Sequence, residues 1–161
     1  MRFLRTSTFT VFLPIQTESP SVEAAKDDTD EAEGFKNKSV LVVDDEALLR
    51  QVLETILSAA GLRVFTACGG EEALVIVEEM GSELDLVILD ITMPGLSGIE
   101  TRLQIRQQSP ALPIIMSSGH PEEALDRLDD WSTDRDGFIQ KPYRNQALLT
   151  TIKKFLLTNR A

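Results

Sequence analysis

Ser39-Val40-Leu41-Val42-Val43-Asp44-Asp45-Glu46 is an apolar run of strand length that stops on three consecutive acids. Leu86-Val87-Ile88-Leu89-Asp90 repeats the pattern further along the chain. Neither run alternates apolar with polar residues, so both faces of each strand have to be covered, as happens when helices flank a parallel sheet on both sides. Outward from these two segments, apolar runs take turns with stretches of helical period, the signature of repeated βα units. Strands are expected at 39–43, 63–66, 86–89, 113–116 and 138–139. Between them Leu49, Val52, Leu53, Ile56 and Ala60 form one helical stripe ended by Gly61; Ala73, Leu74 and Val77 begin a second, and Leu148, Ile152, Phe155 and Leu156 make a third.

The 161 residues carry 16 basic and 26 acidic side chains, a formal charge of −10 that repels nucleic acid and anionic lipid. A hydrophobic share of 42% beside 26% charged residues is that of a folded globular chain, not of a wholly disordered one. Cys68 is the single cysteine and His120 the single histidine, which excludes an internal disulfide and a zinc cluster and fits a cytoplasmic setting. No run approaches the roughly eighteen apolar residues of a spanning helix, so no membrane insertion is expected. Segment 1–15 reads as an extension or remnant strand, with Phe9, Val11 and Leu13 alternating with polar residues, and 16–37 as an acidic flexible linker; residues 38–158 make the domain.

In open parallel sheets, ligands bind outside the carboxyl ends of the strands, so polar residues that follow strands carry the functional information. Here those exits are Asp44-Asp45-Glu46, Asp90, Ser117-Ser118-Gly119 and Lys141-Pro142. Taken singly, each has an ordinary reading: a helix cap for an acid, a solvated charge for Lys141, a turn for Pro142. Taken together, Asp44, Asp45 and Asp90 converge if the central strands are neighbours, and two like charges ~4 Å apart repel by roughly 4 kcal/mol at an effective dielectric of 20. A hard divalent cation such as Mg2+ and the ammonium of Lys141 would offset that repulsion. A carboxylate in such a setting can act as a nucleophile toward phosphorus, with Ser118 and nearby backbone amides donating to the phosphoryl oxygens.

The ordered set Val42-Val43-Asp44-Asp45-Glu46, Asp90-Ile91-Thr92-Met93-Pro94-Gly95-Leu96-Ser97-Gly98, Met116-Ser117-Ser118-Gly119 and Lys141-Pro142-Tyr143 resembles the receiver domain of two-component response regulators. The resemblance covers about residues 38–158. It implies an α/β, three-layer, flavodoxin-like doubly wound fold with a five-stranded parallel sheet of order 2-1-3-4-5. By the same resemblance Asp90 is the phosphoacceptor, served by a partner histidine kinase or histidine phosphotransfer protein. Asp45, Asp90 and the Thr92 carbonyl hold Mg2+ directly, and Asp44 does so through water. Ser118 is the hydroxyl of the switch and Phe138 its aromatic residue; Lys141 pairs with the phosphoryl group, and Pro142 follows a cis peptide. The implied output is a change of the helix 4/strand 5/helix 5 face, which is also the surface for a dimer.

Serine at 118, glycine at 119 and phenylalanine at 138 depart from the commoner threonine, alanine and tyrosine, which bears on the switch rather than on phosphorylation. Residues 7–14 resemble the last strand of a histidine-kinase ATP-binding domain, so the expectation is a receiver from a hybrid histidine kinase. The domain is expected to be a phosphoacceptor module rather than an enzyme. Two alternatives stand beside it. A haloacid-dehalogenase-type phosphatase also uses an Asp nucleophile, magnesium and a lysine, but wants a second acid where Thr92 stands. A phosphorylation-independent pseudo-receiver would be expected to have lost one of Asp44, Asp45, Asp90 or Lys141. Cys68 is expected to be a small packing residue and His120 an exposed loop residue gating the site.

Overall fold

The computed structural model describes residues 35–119 and 131–158. Its element order is β1 (Ser39–Val43), α1 (Ala47–Ala59), β2 (Arg63–Ala67), α2 (Gly70–Met80), a 3-10 turn (Gly81–Glu83), β3 (Leu86–Asp90), α3 (Gly98–Gln108), β4 (Ile114–Ser118), β5 (Asp136–Gln140) and α4 (Asn145–Thr158). The strands form one sheet of order β2-β1-β3-β4-β5, and every pairing is parallel. The expected fold class and strand order are therefore both present. Helix 4 of the expected output face would fall on residues 120–130, which lie outside the described residues, as do His120 and the segment 1–34; the fifth helix of that count is α4 here.

Successive residues of a strand face opposite sides of a sheet, and this parity builds the two cores. Val40, Val42, Leu86, Ile88, Ile115 and Ile139 pack with Leu53 and Leu57 of α1 and with Leu148, Ile152, Phe155 and Leu156 of α4. Their odd-numbered or even-numbered neighbours Leu41, Val43, Val87, Leu89, Ile114 and Met116 pack with Ala73 and Val77 of α2 and Ile105 of α3. Burial of β1, β3 and β4 is complete along their length, which is why those runs carry no polar alternation.

The differences from expectation have physical reasons. β3, β4 and β5 run on to Asp90, Ser118 and Gln140 because those polar residues still pair across the sheet, Asp90 with Ser117 and Ser118 with Gln140. The stripe of α1 is centred on Leu53 and Leu57 rather than Val52, which is 45% exposed; Leu49, Ile56 and Ala60 pack beside it. Phe35, assigned to the linker, is 1% exposed and belongs to the first core, so packing begins before Lys38. Cys68 is exposed rather than packed. Gly61, at φ 95°, ends α1 in the left-handed conformation, as the sequence suggests. Among the described residues, no helix is long and apolar enough to cross a membrane.

Candidate functional site

Parity also builds the site. Asp44, Asp90, Ser117 and Lys141 continue the strand positions that face α1 and α4, so β1, β3, β4 and β5 deliver all four to one corner of the sheet's carboxyl edge. One carboxylate oxygen from each of Asp44, Asp45 and Asp90 lies within 4.8 Å of the others; Asp44 and Asp90 are buried and Asp45 is exposed. Lys141 Nζ donates to Asp44 Oδ2 at 2.7 Å and lies 3.0 Å from Asp90 Oδ1. Of the residues that the sequence singled out for ion and phosphoryl chemistry, Asp44, Asp45, Asp90 and Lys141 thus meet in space.

Asp44 and Asp90 are held by their local backbone. The other oxygen of Asp44 accepts from the Glu46 N–H at 2.9 Å, closing the turn into α1. The Arg50 guanidinium, one turn into that helix, donates to the Asp44 carbonyl at 2.5 Å. After Asp90 the ladder continues for one more bond, from Ile91 N–H to the Ser117 carbonyl at 3.0 Å. The start of α3 then closes over the same peptide: a Cβ on Gly98 would stand 2.0 Å from the Asp90 carbonyl oxygen, so no larger residue fits there. Gly95, at φ 75°, turns the connecting loop, and a Ser97–Glu100 capping box starts α3. That box is written in the sequence as Ser-x-x-Glu and anchors the loop that carries Thr92.

Burial raises the Asp90 pKa, while Lys141 and the Thr92 N–H pull it back and Asp44 pushes it further up. Burial works against the Lys141 ammonium, but its bonds to Asp44 and Asp90 prevail and leave its pKa raised. Both groups are thus strained by desolvation and relieved by each other. Thr92 is exposed, with its N–H on the Asp90 carboxylate. The donor set, three carboxylates with one open to solvent, fits a hard divalent cation that takes oxygen ligands and keeps some waters.

Ser118 and Phe138 fall on the opposite side. Ser118, 5% exposed, continues the Ile114 and Met116 positions toward α2 and α3. Half-buried Phe138 packs against that second core, and its register partner is Met116. Ser118 therefore stands two residues beyond Met116, the register partner of Phe138, on the same face of β4. The Lys141–Pro142 peptide is cis, as expected.

A model of the response regulator receiver domain matches residues 40–153. The chain belongs to the response regulator receiver family. Among relatives of this receiver, the sensor kinase CckA of Brucella abortus is 33% identical over 157 residues, which take in 93% of the chain and 16% of the kinase. The solved chemotaxis protein CheY4 of Vibrio cholerae is 30% identical, with a TM-score of 0.64 over 74% of this chain and 98% of that one. The solved receiver domain of a hybrid histidine kinase CckA is 31% identical, with a TM-score of 0.62 over 73% of this chain and 98% of that one. The receiver spans about half the length of the transcriptional regulators it matches. Three contributors escaped the sequence reading: Arg50, Ser117 and Tyr143. Ser117 and Tyr143 share a hydroxyl–hydroxyl hydrogen bond of 2.7 Å, although each stands inside a quoted motif.

Proposed function

We propose that this receiver accepts a phosphoryl group on Asp90 from a phosphohistidine of a histidine kinase or histidine phosphotransfer protein. The observation that carries the reading is the Asp44–Asp45–Asp90 cluster facing Lys141. An oxygen of Asp90 attacks phosphorus, the P–N bond breaks, imidazole leaves with its electron pair, and an acyl phosphate forms on the carboxylate. Lys141 neutralises charge on the phosphoryl oxygens, Ser118 donates its hydroxyl to one of them, and the Thr92 N–H orients the nucleophile. Asp45, Asp90 and the Thr92 carbonyl would hold Mg2+, with Asp44 acting through water. When bound, the ion supplies Lewis-acid stabilisation of the phosphoryl oxygens and screens the acids from one another.

Donation of Ser118 toward the new phosphoryl group shifts the population of Phe138 rotamers and thereby the face that includes β5 and α4. The histidine-bearing partner approaches along a groove of about 440 Å³ walled by Leu49, Val52 and Ile56 of α1 and by Pro142 and Tyr143. Its lining is mostly apolar and also includes Glu46, Lys141 and Asn145, which suits an amphipathic helix that presents a phosphorylated side chain. The alignment with the Brucella sensor kinase, at 93% of the chain, runs through most of the segment before Lys38. That extent supports a receiver drawn from a hybrid histidine kinase. In this reading the domain is a phosphoacceptor module and not an enzyme.

Incubated with acetyl phosphate and Mg2+, the protein is expected to gain the mass of one phosphoryl group, labile to hydroxylamine and located by peptide mapping at Asp90. Asp90→Asn is expected to gain none. Undiminished labelling of that variant would reject the assignment, and failure of the parent protein to label would favour a pseudo-receiver.

A further inference from the structure

We propose that the Tyr143 hydroxyl, acting through Ser117, is a positioning group that holds Lys141 in place for phosphoryl transfer to Asp90. The inference rests on the phosphoacceptor reading and adds two residues to it. Ser117 is 1% exposed and is the direct register partner of Asp90, so its side chain stands beside the nucleophile on the same face of the sheet. Tyr143 lies two residues beyond Lys141. Its ring packs on the core between α1 and α4, and its hydroxyl reaches under the sheet edge to Ser117 Oγ at 2.7 Å.

The segment that carries Lys141 is consequently tied to β4 at both ends. At the near end Lys141 N–H donates to the Ser118 carbonyl at 2.9 Å; at the far end the Tyr143 hydroxyl meets Ser117. Between the two ties, the ammonium is suspended over Asp44 and Asp90. Releasing the far tie leaves a flexible four-carbon side chain on a segment held by its first residue and by ring packing, with no polar bond at its far end. The bond has a second effect: it keeps a buried hydroxyl next to Asp90 engaged away from the nucleophile. Burial raises the Tyr143 phenol pKa, the Ser117 hydrogen bond and Lys141 oppose the rise, and Asp44 and Asp90 reinforce it. Phenylalanine at 143 with any apolar residue at 117 would preserve the packing and lack the tie.

The test uses the full chain with Tyr143→Phe, Ser117→Ala, both together, and Asp90→Asn as the control. Phosphoramidate with Mg2+ is the donor, and labelling is followed by intact mass. A neutral hydrogen bond corresponds to about fivefold in rate. Tyr143→Phe is expected to lower the maximal labelling rate about fivefold, with the half-saturating donor concentration and the Mg2+ affinity unchanged. Ser117→Ala is expected to lose as much, and the double variant no more than either, because both act through one bond. Tyr143 is the only tyrosine, so its near-ultraviolet absorption reports the bond without reference to activity. Ser117→Ala is expected to shift that spectrum. A parental rate in Tyr143→Phe, losses that multiply in the double variant, a change confined to donor or ion binding, or an unshifted spectrum would each overturn the proposal. Labelling of Asp90→Asn would instead overturn the phosphoacceptor reading itself.

Discussion

Lys141→Met is expected to slow phosphoryl transfer to Asp90 by about 10²–10³-fold, the cost typical of removing one preorganised donor to a charged transition state. The ammonium sits between Asp44 and Asp90 at 2.7 and 3.0 Å, and so meets charge that develops on the transferred group without first reorganising. Methionine keeps the unbranched stem and removes the terminal ammonium with its charge and donors. The same substitution leaves the three acids without their protein counter-charge, so Mg2+ is expected to bind more tightly as the rate falls. Rapid-mix labelling and calorimetric Mg2+ titration of one preparation check both halves. A parallel fall in rate and in ion affinity would mean that Lys141 supports the shape of the site rather than the reaction.

Asp136→Ala is expected to destabilise the domain by about 3–5 kcal/mol, a large share of the stability of a domain this size. Asp136 opens β5 at the end of the sheet opposite Asp90. It accepts from Arg102 Nε at 3.1 Å, from an Arg102 terminal nitrogen at 2.7 Å, from Arg106 at 2.6 Å and from the Ser132 N–H at 3.0 Å. The side chains of Arg102 and Asp136 are both fully buried, and the guanidinium lies 5.7 Å from the centre of the Trp131 ring. Removing the carboxylate strands a buried cation, which costs far more than the pair contributes. Burial pushes the Asp136 carboxyl up, but Arg102, the Ser132 N–H and Arg106 together bring it below the usual range. Its contribution is therefore complete above the ordinary carboxylate pKa of about 4 and is lost as pH falls through the lower folded value. The difference in urea midpoint between parent and variant is expected to be largest near neutrality and to close in acid. Equal midpoints at pH 7 would refute the role of the pair.

Those two sites differ in how far the sequence discloses them. The corner of Asp44, Asp90 and Lys141 is legible because these residues interrupt or end apolar runs, and strand parity with parallel order brings run ends together. The fold is legible for the same reason: runs such as 40–43 and 86–89 can be buried on both faces only in a flanked parallel sheet. Arg102 and Asp136 are hidden because a helical Arg reads as a solvated charge, and its partner lies 34 residues away. Phe35 stands alone at the end of an acidic tract and shows no periodicity that would mark it as core. Val52 and Leu57 both fit a helical stripe around Leu53, and only the packing against α4 and the sheet decides between them. The Ser117–Tyr143 bond is hidden differently, since each residue is unremarkable until β4 and the Lys141 loop are side by side.

Asp44, Asp45 and Asp90 are expected to form one divalent-cation site that makes Asp90 a phosphoacceptor. The check is the rate of labelling by acetyl phosphate, measured across a Mg2+ titration for the parent and for Asp45→Asn. The expected result is a saturable dependence on Mg2+, shifted to higher concentration in Asp45→Asn and abolished by chelator, with the phosphoryl group on Asp90. Labelling that proceeds at the same rate in chelator, or a titration that Asp45→Asn leaves in place, would contradict it.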